Sequence, residues 1–134
     1  MISSFRKTAL YWAWLIALVG FCVSIFYAEI LGHPPCPLCW YQRIALFPLV
    51  ILLGIAAYRG DQAIIPYALP IVVIGALIAT FHVLQPILPF LQKTAICRLG
   101  VPCTHEGLSL WFPVASLCGF VLIATLLWCC RDPR

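Results

Sequence analysis

Charge is scarce in this sequence. Of its 134 residues only 9% are Asp, Glu, Lys or Arg, and only four of those are acidic. A water-soluble fold needs more polar surface than that, and with 64% of the residues hydrophobic a soluble domain is excluded. The chain also lacks a basic stripe. Its eight Lys and Arg residues are scattered around apolar blocks, so the net charge of +4 does not point to nucleic acid. No internal repeat and no low-complexity segment is present, and the length fits one domain. Arg6-Lys7 ahead of an apolar stretch resembles a signal peptide, but the stretch is too long and no small-x-small cleavage site follows. The first span is therefore expected to stay.

The apolar blocks divide into four segments near 10–31, 40–58, 64–84 and 108–130. Each is long enough for a hydrocarbon core that takes about 20 helical residues. Pro34-Pro35, Arg59-Gly60-Asp61 and Gln85-Pro86 interrupt them, while Pro48 and Pro113 fall within or near the start of spans, where lipid tolerates kinks. The expectation is an all-α membrane protein: a four-transmembrane-helix bundle in a single integral membrane domain, 1–134. Arg6, Lys7, Arg59, Arg131 and Arg134 lie at the N-terminus, the second connection and the C-terminus, whereas the other two connections carry only Lys93 and Arg98. That bias places both termini in the cytoplasm and the outer loops, near 32–39 and 85–107, on the far side.

What the chain does have is cysteine, eight in all, and two pairs fall in those outer loops. Cys36-Pro37-Leu38-Cys39 closes too small a ring to be a strong clip: such a loop gives about 2 kcal/mol, against about 5 for a very long one. As an exchange pair it is better placed, because this spacing commonly lowers a cysteine pKa and the thiolate is the attacking species. Cys97 and Cys103 flank Gly100 and Pro102, which permit the turn that a disulfide there requires. A loop outside the membrane can meet a protein partner while Cys36 and Cys39 stay beside the lipid. An ordinary loop disulfide and a four-cysteine zinc site are the alternatives. Zinc needs thiolates, which an oxidising compartment converts to disulfides, so no metal is expected. Cys22 and Cys118 fall mid-span as small apolar residues, and Cys129 and Cys130 lie at the cytoplasmic end, where they should remain reduced.

Few polar residues lie in the spans. Arg43 is four residues after Cys39 and shares a helix face with it, about one turn into the bilayer. It either snorkels to the headgroups or stabilises a sulfur anion, and the adjacent dithiol favours the second. Gln42 is positioned to contact the same ligand. His82, near the outer end of the third span, suits either a hydrogen bond to a ligand carbonyl or a packed, satisfied site. Glu29 is placed to pair with Arg43 or to face the headgroups, and His33, His105 and Glu106 are loop residues.

Cys36-Pro37-Leu38-Cys39-Trp40-Tyr41-Gln42-Arg43, with Pro48 following, closely resembles the second-span signature of the DsbB/BdbC disulfide-bond formation proteins. The order of spans and cysteine pairs is similar over essentially the whole chain, and the short spacing of Cys97 and Cys103 resembles the BdbC-like branch. The resemblance implies an enzyme, a quinone-dependent protein disulfide oxidoreductase of the bacterial cytoplasmic membrane. Its partner would be a DsbA/BdbD-like thioredoxin-fold dithiol oxidase, and its cofactor ubiquinone or menaquinone. It further implies disulfides Cys36–Cys39 and Cys97–Cys103. Cys39 would be the sulfur beside the quinone, Cys97 the one attacked by the partner, and Cys103 the one exchanging with Cys36. Arg43 matches the arginine associated with quinone binding, with Gln42 and His82 as further candidates for that site. A vitamin K epoxide reductase-like quinone reductase ranks behind, because that family carries its quinone-proximal Cys-x-x-Cys in the last core helix. A non-catalytic, disulfide-stapled membrane subunit is the remaining alternative.

Overall fold

The computed structural model describes residues 1–93 and 110–131. Helix α1 covers Ile2–Ile25 and runs into a π-helical turn, Phe26–Ile30; α2 covers Pro37–Arg59, α3 Ile65–Leu84, the single turn α4 Pro89–Gln92, and α5 Trp111–Cys130. Among the described residues, four helical stretches are long and apolar enough to cross a membrane: Ser3–Ile30, Pro37–Arg59, Gln62–Leu84 and Trp111–Cys130. The described residues form an all-helical, multi-pass membrane bundle. The first helix begins about two turns before the apolar block. Hydropathy marks where lipid starts, whereas a helix continues into water until something stops it, and no Gly or Pro occurs before Gly20.

The long helices close a ring. α1 packs on α2 and α5, and α3 packs on the same two. Small residues at helical spacing let the backbones approach: Ala9, Ala13 and Ala17 on α1, and Ala68, Gly75 and Ala79 on α3. Leu49 and Leu53 of α2 and Ile123 and Leu127 of α5 fill between them. Large apolar side chains such as Ile44, Ile51, Leu77 and Leu122 point outward. Ser24, Gln42, Arg43, His82 and Gln85 are buried instead. That is the pattern lipid imposes, since a polar group facing hydrocarbon has no partner.

Turn chemistry fixes the connections. Gly60 ends α2 at φ 66°, a left-handed conformation that favours glycine, and its N–H donates to the Ala56 carbonyl. Gly32 has φ 67° after the π-helical turn. Arg6 reaches the Gln62 side chain at 3.3 Å, tying the start of α1 to the second connection.

Gly75 lies against the Phe120 ring, and a Cβ there would come 2.7 Å from the ring Cζ. Gly75→Ala is therefore expected to destabilise the bundle by about 1–3 kcal/mol through overpacking. Gly119→Ala, where a Cβ meets nothing within 4 Å, should lack that penalty. Thermal unfolding of the two variants in detergent checks the contrast.

Candidate functional site

The first turn of α2 builds the site. Cys36 is extended (φ −69°, ψ 163°) and occupies the N-cap, with Pro37 at the start of the helix, where a missing N–H costs nothing. The Cys36 sulfur accepts from the Cys39 backbone N–H at 3.3 Å, as a capping oxygen would. The two Sγ atoms lie 2.8 Å apart, close enough to share a proton or to close a disulfide.

One turn on, Arg43 is 7% exposed. Its Nε donates to the Ser24 hydroxyl and its Nη2 to the Ser24 carbonyl, both at 2.7 Å. The guanidinium carbon also sits 5.4 Å from the centre of the Trp40 ring. Glu29 is exposed, so the acceptors for this cation come from α1, just before the π-helical turn. Arg43 remains within electrostatic reach of Cys39.

His82 approaches from the end of α3. Its Nε2 is 3.9 Å from the Cys36 sulfur, and its Nδ1 is 3.0 Å from the Gln42 amide nitrogen. The Gln42 carbonyl oxygen accepts from the Ser116 hydroxyl of α5 at 2.6 Å. Behind the dithiol opens a cavity of about 430 Å³, lined on its polar side by Cys39, Gln42, Arg43 and His82 and elsewhere by apolar side chains such as Val19, Val23, Leu46 and Phe120. Among the described residues, the ligand atoms of Cys36, Cys39 and His82 lie within 4.8 Å of one another.

The profile of the family described as "Disulfide bond formation protein DsbB" matches residues 6–126. The chain belongs to this family. It is 40% identical over 123 residues to "Disulfide bond formation protein C" of Bacillus subtilis (strain 168), with 88% of each chain covered. It is 44% identical over 130 residues to a "Probable disulfide formation protein" of Chlamydia trachomatis serovar D, with 95% of each covered. A Coxiella burnetii protein with that description, from strain RSA 493, is 44% identical over 107 residues, 79% of this chain and 73% of its own. No solved structure matches significantly. Membership in the DsbB family makes this a membrane protein of disulfide bond formation.

The structure brings Cys36, Cys39, Gln42, Arg43 and His82 together around one cavity. Cys97 and Cys103 lie outside the described residues, as do His105 and Glu106. Ser24 and Ser116 went unnoticed in the sequence. A serine in an apolar span carries no signal by itself, and only the need of a buried Arg43 and Gln42 for partners could have directed attention to them. Cys22, Cys118 and Cys129 are exposed on the outside of the bundle, and Cys130 is buried with its thiol 3.6 Å from the Arg6 carbonyl, so none of these four joins the cavity.

Cys36 lies just ahead of the spanning helix. The hydrogen bond from the Cys39 thiol, helped by His82 and opposed by burial, lowers its pKa from 9.0 to about 4. In the reduced protein its thiolate is present above that value and lost as pH falls through it. Alkylation of Cys36, followed by mass spectrometry, should therefore run at a nearly constant rate from neutral pH down to about 5 and fall only near 4. A rate that drops tenfold per pH unit below 8 would contradict this.

Proposed function

We propose that this chain reoxidises a DsbA/BdbD-like thioredoxin-fold protein and passes the electrons to a membrane quinone, sustaining disulfide formation in exported proteins. The observation that carries this reading is a reactive dithiol opening into an intramembrane cavity with apolar walls and a cationic, hydrogen-bonding side. A flat ring with carbonyl acceptors and a prenyl tail has the complementary chemistry.

The residues present fit such a group unequally. Arg43 keeps N–H donors beyond the two that Ser24 takes, and it is the side chain best able to hold a ring carbonyl. Gln42 and His82 line the same space, but each already bonds to the other and to a further neighbour. When bound, a quinone supplies the sink for the electron pair and protons of the Cys36–Cys39 dithiol. Sink strength matters because DsbA-type oxidases are themselves strongly oxidising, at about −120 mV.

The protein steps are exchanges. A partner thiolate attacks the Cys97–Cys103 disulfide, a mixed disulfide forms, and the partner's second cysteine resolves it, leaving Cys97 and Cys103 reduced. That pair then reduces Cys36–Cys39: Cys103 attacks Cys36 and Cys39 leaves as the thiolate, then Cys97 resolves the Cys36–Cys103 mixed disulfide, restoring Cys97–Cys103 and leaving Cys36 and Cys39 reduced. Arg43 stabilises negative charge on Cys39 and on any oxygen held at the polar side of the cavity. The exclusion of Arg43 from water strengthens both effects. The charge bias of the connections supports a bacterial cytoplasmic membrane location with the dithiol on the outer side.

The test supplies reduced DsbA-like protein to the purified chain in detergent and follows quinone absorbance. Cys39→Ser is expected to abolish turnover, and unchanged turnover would sink the mechanism. Arg43→Ala is expected to raise the KM for quinone by about tenfold, roughly 1.4 kcal/mol of binding, with a smaller effect on kcat.

A further inference from the structure

We infer that Ser116 is a positioning residue for the dithiol: it fixes the Gln42 amide, and through it the tautomer of His82, so that a ring N–H faces the Cys36 sulfur. This deepens the reading above and rests on it for its functional meaning.

Distances decide the polarity of the chain. The Ser116–Gln42 separation of 2.6 Å falls among O–H···O bonds and is short for N–H···O, whose usual value is about 2.9–3.0 Å. The Gln42 carbonyl oxygen therefore faces the serine, and its nitrogen faces His82. An amide nitrogen only donates, so His82 Nδ1, at 3.0 Å, accepts. In a neutral imidazole the proton then resides on Nε2, the atom 3.9 Å from the Cys36 sulfur. The chain runs Ser116 to Gln42 to His82 to Cys36, crossing from α5 through α2 and α3 to the N-cap. Its last three members are buried.

Without the Ser116 hydroxyl, nothing described holds the amide in this sense. Turned over, its oxygen would take a proton from Nδ1, and Nε2 would present a lone pair to Cys36, repelling a thiolate there. A hydroxyl on a third helix thus determines whether the dithiol meets a donor or an acceptor. The other titratable or charged groups around the cavity are Cys39 and Arg43 on α2, Tyr27 of the π-helical turn and His33 of the following loop, while α5 contributes none. Of these only Cys39 hydrogen-bonds the Cys36 sulfur.

The experiment uses the reduced full-length chain in detergent. Cys36 alkylation is followed by mass spectrometry across the pH range for the natural protein, Ser116→Ala and Ser116→Thr. His82 is read by nitrogen NMR on histidine-labelled protein, with quinone turnover measured in parallel. The natural protein should show the Nε2–H form of His82. Ser116→Ala should move the alkylation midpoint up by about one pH unit, a tenfold slower reaction on the acid side, and Ser116→Thr should restore it. An Nδ1–H tautomer in the natural protein overturns the proposal even if Ser116→Ala does not fold. So does an unshifted profile in Ser116→Ala, or an equal shift in the Ala and Thr variants. Failure of quinone turnover in the natural protein, with the tautomer and profiles as expected, rejects the redox reading and retains the lock. Normal turnover with an unshifted Ser116→Ala profile rejects the lock alone.

Discussion

A guanidinium buried among apolar helices must receive its acceptors from the protein, because lipid offers none. Among the described residues, Arg43 meets that requirement through Ser24, hydroxyl and carbonyl together. Ser24 lies two residues before the π-helical turn, a feature that recurs at functional sites. This pair of bonds ties the C-terminal end of α1 to the N-terminal part of α2 and fixes where the cation sits. It also leaves the far side of the guanidinium free to act on the cavity. A carboxylate partner would have compensated the charge; serine orients the guanidinium without compensating it.

α2 thus carries two polar systems on adjacent positions of its first turns. Arg43 turns toward α1, while Gln42 turns toward α3 and α5. Cys39 lies three and four residues before them, on the same side of the helix, and all three line the cavity. The helix N-terminus contributes a further donor, the Cys39 N–H, to the Cys36 sulfur. Position along one helix therefore distributes the work: the N-cap carries one sulfur, the first turn the other, and the second turn the charge and the amide.

Much of this was legible in the sequence, and the rest was hidden for definable reasons. The Cys-x-x-Cys pair and Arg43 stand out because reactive thiols and an intramembrane charge are costly and sparse. Spacing alone puts Cys39 and Arg43 on one face. The apolar blocks mark the spans, while α1 begins about two turns ahead of the first block, because hydropathy records the membrane and not the hydrogen-bonded helix. Ser24 and Ser116 were silent, since a hydroxyl in an apolar span costs little and its importance depends on which buried partner it meets. The π-helical turn at Phe26–Ile30 was silent too. His82 was visible as a residue, but its connection to Cys36 depends on how α3 packs against α2.

The bundle is divided along its length, and the division explains how one small fold can be both stable and hollow. The tight core lies toward the N-terminus of α1: Ala9, Ala13 and Ala17 meet Leu53 and Ala56, Ile65, Ala68 and Val72, and Ile123 and Leu127. The cavity occupies the opposite half, from Ile16 and Val19 up to the dithiol. Small residues draw the backbones together at one end, where dispersion contacts between close helices supply stability that lipid cannot. At the other end, small residues such as Gly20, Ala115 and Gly119 leave space beside the buried polar groups, and that space lies against Cys36 and Cys39. Tight packing in the first half offsets the contacts forgone in the second. An apolar ligand of the kind proposed would meet a sulfur there.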